Sequence, residues 1–309
     1  MEPLFWRDKI IAAAIETTYG TDEDPGGADA IYAKEVSLTP MEGNDLDREL
    51  ELPHFGSQGT IPVELHSKLS LKVELAPSGT AGLAPQWGPL LRACGVAETI
   101  SAGTSVTYNP ITNGAESLTI HFFIGATRHV LKGTRGNARF ELTAQGIPHI
   151  MFEFTGLFAL PSEETRPTPV FTGWQKPQHV TETFTAFTLN AVTTVMRSFT
   201  MEMGNAVETR FLVGPESILI TDKSEQIECT IQAVPLTRLD PYTLALNATD
   251  VALNLRHGVG AGKIATIAVP LAQMQRPQGL QQPQNITEWP LRLVPRTNAG
   301  NDQWTLTLT

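Results

Sequence analysis

The sequence predicts a mainly β protein built as two tandem sandwich or barrel domains, each with a short helix. Three observations predict it: a run of alternating strands from Ser117 to Leu160, an abundance of turn residues (Gly 25, Pro 22), and a second half that repeats the pattern of the first. In that run, Leu118, Ile120 and Phe122 alternate with Thr119, His121 and Phe123, and Arg128 to Lys132 returns after a turn at Gly125-Ala126. Phe140, Leu142 and Ala144 then alternate with Glu141, Thr143 and Gln145; beyond Gly146-Ile147-Pro148, Phe152 and Phe154 alternate with Met151, Glu153 and Thr155. Successive side chains of a strand point to opposite faces, so each segment has one apolar face to bury and one mixed face free for solvent or a partner. The stretch reads as a four-strand antiparallel meander.

Taken in order, residues 1–33 read as a leader, an N-terminal arm or equally a part of the core. Its apolar run Ile10 to Ile15 is too short for periodicity to separate strand from helix, and Thr18 to Gly27 has the composition of a loop. The first domain spans 34–165. In it Leu69, Leu71, Val73 and Leu75 alternate with Ser70, Lys72 and Glu74, a clear strand. Between Gly43 and Lys68 lies a long loop with Pro53, Gly56, Gly59 and Pro62, of a length that an ordered domain seldom carries without a use for it. Pro85 to Gly95 reads as a short helix with proline near its start and glycine as its stop, and Val96 to Glu116 as a link to the meander.

Residues 166–180 read as a linker inside the proline-rich, aperiodic stretch Pro161 to Gln178, and 181–309 as the second domain. There Ser198-Phe199-Thr200 matches Ser37-Leu38-Thr39, Gly204-Asn205 matches Gly43-Asn44, and Val207-Glu208 matches Leu46-Asp47. The strand Ile227 to Val234 falls on Leu69 to Ala76, Leu236 to Asn247 takes the helix position, and Pro290 to Val294 falls on Met151 to Thr155. This is the signature of an internal duplication.

At 309 residues the chain is long enough for two domains, and 41% hydrophobic with 17% charged residues is ordinary for a folded protein. No apolar run reaches the roughly 20 residues of a membrane helix, and Met1-Glu2-Pro3 does not open a signal peptide, so synthesis in a cytoplasm is expected. Cys94 and Cys229 are far apart and read as small buried apolar residues. The net charge of −10 lies wholly in the first half: 21 acidic and 11 basic residues over 1–165, then 11 of each over 166–309. Such a surface disfavours specific nucleic-acid binding.

Enzyme signatures are missing. His257 to Lys263 has a phosphate-loop look but the wrong spacing, with Ile264 where a hydroxyl residue is needed, and reads as a hairpin turn. There is no paired-histidine or Gly-x-Ser-x-Gly pattern, and the acidic clusters sit on loops with little apolar surround, so no catalytic residue, metal site or cofactor is expected.

The ordered set Glu16 to Asp22, Thr39 to Asn44, Gly88 to Gly95 and Phe152 to Leu157, with Ile218 to Asp222 and Pro290 to Leu293, resembles the major tail tube protein of long, non-contractile-tailed bacteriophages. The resemblance runs over nearly the whole chain. It implies tail-tube-type β domains that assemble into rings, stacked into a hollow tail through which double-stranded DNA passes transiently. It also implies a virion location, with tail terminator, tape measure and distal tail proteins as partners. Tube domains are usually six to a ring, so a chain with two would form trimers with pseudo-six-fold symmetry. Two other readings are a terminator or secretion-type tube protein and a receptor- or sugar-binding sandwich at a virion tip; the scatter of Trp6, Trp87, Trp174, Trp289 and Trp304 disfavours the second.

Two groups of residues are expected to serve such an assembly. Asp45, Asp47, Glu49, Glu51, Leu52 and Phe55, with Val207, Glu208 and Arg210 in the matching position, are expected to make contact between rings. Lys72, Glu74, Glu141 and Thr143 alternate with core residues and so share the face opposite the core, which is available to line the lumen; the alternative is that they are salt-bridged on the outer wall, as the closeness of Lys72 to Glu74 allows.

Overall fold

The computed structural model describes residues 3–309; Met1 and Glu2, part of the expected N-terminal arm, lie outside them. The first half contains strands β1 (Lys9–Ile15), β2 (Lys34–Asp47), β3 (Thr60–Glu74), helix α1 (Gly88–Arg92), β4 (Val96–Ser101), β5 (Ser105–Pro110), β6 (Leu118–Ile124), β7 (Thr127–Thr143), β8 (His149–Phe158) and the short β9 (Ser162–Glu163). The second contains β10 (Thr185–Leu189), β11 (Val192–Thr193), β12 (Met196–Glu202), β13 (Asn205–Arg210), β14 (Ser217–Lys223), β15 (Gln226–Gln232), helix α2 (Pro241–Leu246), β16 (Asp250–His257), β17 (Ala265–Met274), β18 (Glu288–Pro295) and β19 (Thr305–Leu308). The protein is mainly β, as the sequence predicts.

The order of pairing occurs twice. In the first half β2, β3, β8, β7, β6 and β1 are neighbours in that order. In the second, β12, β15, β18, β17, β16 and β10 follow the same order. The two runs are joined edge to edge, because β12 also pairs with β7 from Ser198↔Thr143 to Glu202↔Arg139. A second seam is made by β19, which pairs with β17 on one side and with β5 on the other. One core serves both halves, from Leu69, Leu71 and Val73 through Phe140, Phe152 and Phe199 to Leu291 and Trp304. Full burial of each such side chain is worth about 1.5–3 kcal/mol.

Several expectations are corrected. The meander has three strands, since Arg128 to Lys132 and Phe140 to Leu142 belong to the single 17-residue β7. Gly133, with φ +57, and a register shift between Lys132 and Arg135 bend that strand, so the alternation breaks without the strand ending. Ile10 to Ala13 are buried, because β1 pairs with β6 along its whole length; this part of the leader is sheet, not a free arm. Val96 to Glu116 is largely the β4–β5 hairpin. The loop expected between Gly43 and Lys68 is irregular only over 48–59, with β2 and β3 forming a paired hairpin on either side. Both faces of that hairpin meet solvent, so neither must be apolar and the burial periodicity that marks a strand is absent. The turn at 258–264 does join β16 to β17 as a hairpin, and both short helices stand where the sequence places them.

Candidate assembly surface and channel face

Alternation fixes a polar face on the continuous sheet. Because Leu69, Leu71 and Val73 are buried, Lys68, Ser70, Lys72 and Glu74 of β3 point the other way. By the same rule Arg139, Glu141 and Thr143 of β7, Ser198 and Thr200 of β12, Glu228 and Thr230 of β15, and Arg292 of β18 share that side. The polar face therefore runs unbroken from β2 across the β7–β12 junction to β18.

Its charges are locally compensated. Lys72 Nζ lies 2.9 Å from Glu35 and 3.3 Å from Glu141, whose other oxygen is 3.2 Å from Arg139 Nε. The hydrogen bond from Lys72 holds the Glu35 carboxyl below the usual range and raises Lys72 in return. Lys68 pairs with Glu42 at 2.6 Å and Arg292 with Glu228 at 2.9 Å. Of the four residues expected on a lumen face, Lys72 and Glu141 thus form one ion-paired cluster; Glu74 and Thr143 lie on the same side of the sheet outside it.

Two arms project beyond this sheet. The first is the outer part of the β2–β3 hairpin, which carries Asp45, Asp47, Glu49, Glu51, Leu52 and Phe55 in exposed positions, Phe55 completely so. The second is the β13–β14 hairpin, a separate two-stranded sheet with Glu208 and Arg210 exposed, Val207 half-buried and Leu212 and Val213 exposed at its tip. The arms touch where the His66 and Phe211 rings lie 6.3 Å apart. Large apolar side chains at the ends of solvated hairpins are what a contact with another chain would cover.

A knot of residues not singled out as functional holds the second arm. Glu16, 8% exposed, accepts hydrogen bonds from Gly20 N, Ser117 Oγ, Thr119 Oγ1 and Gly133 N at 2.6–3.1 Å. This folds Thr17 to Gly20 back so that the Tyr19 hydroxyl accepts from the Ile218 amide of β14 at 2.6 Å, and burial pushes the Tyr19 phenol up. Arg135 sits 5.0 Å from the Tyr19 ring centre and donates to the carbonyls of Ile218, Ala115 and Glu116. Gly133 cannot be larger: a Cβ there would lie 2.7 Å from the Tyr19 ring. Asn205, at the root of β13, donates to Cys94 O at 2.7 Å and Gly136 O at 2.9 Å, both in the first half. The runs Glu16 to Asp22 and Gly204-Asn205 were visible as motifs, but no periodicity could reveal partners about 70 to 200 residues away.

A duplicated β wall with open edges, projecting arms and a polar face of paired charges describes a structural protein. The phage tail tube protein model matches residues 6–287, and the chain belongs to that family. It is thus a structural component of a phage tail. No curated protein matches it. Among the described residues no helix is long and apolar enough to cross a membrane.

Proposed function

We propose that the chain polymerises as stacked rings of three copies, forming the tube that conducts the phage genome. Each copy supplies two pseudo-equivalent tube units, 34–165 and 181–309, with 166–180 linking them and β1 completing the first. The observation that carries this reading is the strand order that occurs twice and continues across β7–β12. A sheet whose end-to-end join already exists once inside the chain can close on itself when the same join is made between copies.

The polar face lines the lumen in this reading. DNA passes without sticking because Lys68, Lys72, Arg139 and Arg292 are each held by a carboxylate, leaving them poorly placed to capture phosphates. The arms reach the neighbouring ring, where Phe55 and Leu212-Val213 are covered. Tail terminator, tape measure and distal tail proteins meet the ends and the bore of the tube. Native mass measurement of an isolated ring, with negative-stain imaging of the polymer, tests this. Three chains per ring and hollow tubes are expected; six chains would reject the two-unit account, and a single non-stacking ring would favour a terminator.

A further inference from the structure

The join inside the chain specifies the join between chains. Over Arg139–Thr143, β7 pairs with β12 on one edge, with Phe140 opposite Met201, and over Arg139–Glu141 it also holds β8 on the other. The second-half counterpart of this stretch is Gln275–Gln281. It lies along β18 as β7 lies along β8: Gln275 N donates to Arg292 O at 2.9 Å, and Gln281 and Glu288 exchange both backbone hydrogen bonds at 3.0 and 2.8 Å. Its other edge pairs with nothing among the described residues. At the opposite end of the wall, β2 pairs among the described residues with β3 alone, whereas its counterpart β12 is paired on both edges. The chain therefore ends in two open edges of complementary kind, and open edges recruit strands.

The register can be counted. Glu141↔His149 and Gln281↔Glu288 close the two equivalent hairpins, which makes Leu280 the counterpart of Phe140. His149 stands opposite Glu74 and Glu288 opposite Gln232, so Leu69 corresponds to Ile227 and, one strand further, Leu38 to Met201. The internal pair Phe140–Met201 is wholly buried; Leu280 is 61% exposed and Leu38 only partly covered. We propose that Gln275–Gln281 of one copy pairs antiparallel with the free edge of β2 in the next, placing Leu280 against Leu38. This rests on the tube reading above and names the surface through which a ring closes. The contact is head-to-tail, so a closed ring leaves neither edge free.

Purified Leu38→Cys/Leu280→Cys protein, assembled and treated with a short bifunctional thiol reagent, tests the register; Cys94 and Cys229 are buried and stay silent. Covalent dimers and trimers are expected, and mixing the two single variants should give only the mixed dimer. Leu280→Asp, at an exposed site, should leave a folded monomer and raise the concentration needed for rings by about tenfold or more. Tubes without these cross-links, or tubes from Leu280→Asp at the usual concentration, overturn this interface and leave the tube reading standing. A wild-type chain that forms neither rings nor tubes overturns both.

Discussion

The two arms occupy matching places in the sequence and are built differently. In the first, β2 and β3 run out of the sheet without a break, and Asn44 is exposed with only Glu64 as its side-chain partner. In the second, β12 stops at Glu202 and the chain turns at Gly204, whose φ is +59 and where a Cβ would lie 2.0 Å from Ser224 O. Asn205 then faces inward, and Asn205, Tyr19, Arg135 and Lys223, which donates to Gly95 O, pin the hairpin to the first half of the same chain. One motif, Gly-Asn, ends up solvated in one copy and buried in the other. The second arm has a first half of the same chain beside it to lean on, while the first arm has no such neighbour on its outer side among the described residues. Three predictions put that difference at risk.

The largest effect is expected at the first tip. Deleting Leu52 to Gly59 removes Phe55 and the exposed turn but no core residue, so the monomer should melt within a degree or two of wild type while polymerisation is lost. Normal tubes in the electron microscope would show that the free arm is not a contact. Next in size is the asparagine pair. Asn205→Ala strips hydrogen bonds from two carbonyls at the buried root of the second arm and should cost about 2–3 kcal/mol, read as a melting shift of about 3–5 °C in a chain of this length. Asn44→Ala should stay within about 0.5 kcal/mol in the monomer. Equal losses at the two sites would erase the distinction between a pinned and a free arm. Tyr19→Phe removes only the acceptor of the Ile218 amide, for about 1 kcal/mol, and hydrogen exchange should report faster opening of β14 with β3 and β8 unchanged.

Part of the sheet was legible because burial writes its period into the chain: Leu69 to Val73 and Phe140 to Leu142 lie in strands that alternate buried with less buried residues. By contrast, β6 was found as a strand but is buried on both faces, Thr119, His121 and Phe123 included, so its expected free face does not exist. The duplication was legible too, yet its register was not fully. The ladders set Leu38 against the position of Met201, two residues from the sequence match to Phe199, because a period of two hides a slip of two. The outer halves of β2 and β3 left no trace, being wet on both sides. The ion-paired state of Lys72 and Glu141 depends on a cross-strand neighbour, and Tyr19 and Asn205 on distant ones, which local pattern does not encode.

The smallest effect concerns how the halves respond to acid. Each has a buried histidine on an inner strand. In β6, His121 is 1% exposed and its Nε2 lies 2.8 Å from an Asp22 carboxylate oxygen. In β16, His257 is 3% exposed; one nitrogen meets the Thr185 hydroxyl at 2.9 Å and the other the Gln178 carbonyl at 3.0 Å, with His179 as a charged neighbour of the wrong sign when protonated. Burial lowers the His257 pKa, and the Gln178 hydrogen bond offsets this only in part. A lowered folded value means the unfolded chain binds the proton first. The stability His257 contributes is therefore whole above the ordinary histidine value of about 6.5 and drains away as pH falls from there through its folded pKa. Acidification from pH 7.5 to 5.5 should loosen β10 and β16 before β1 and β6, seen as earlier amide exchange in Thr185–Leu189 than in Lys9–Ile15. His257→Gln should flatten that part of the pH dependence. If exchange quickens equally in both strands, or the variant keeps the full slope, the two halves share one acid response and this contrast between them is lost.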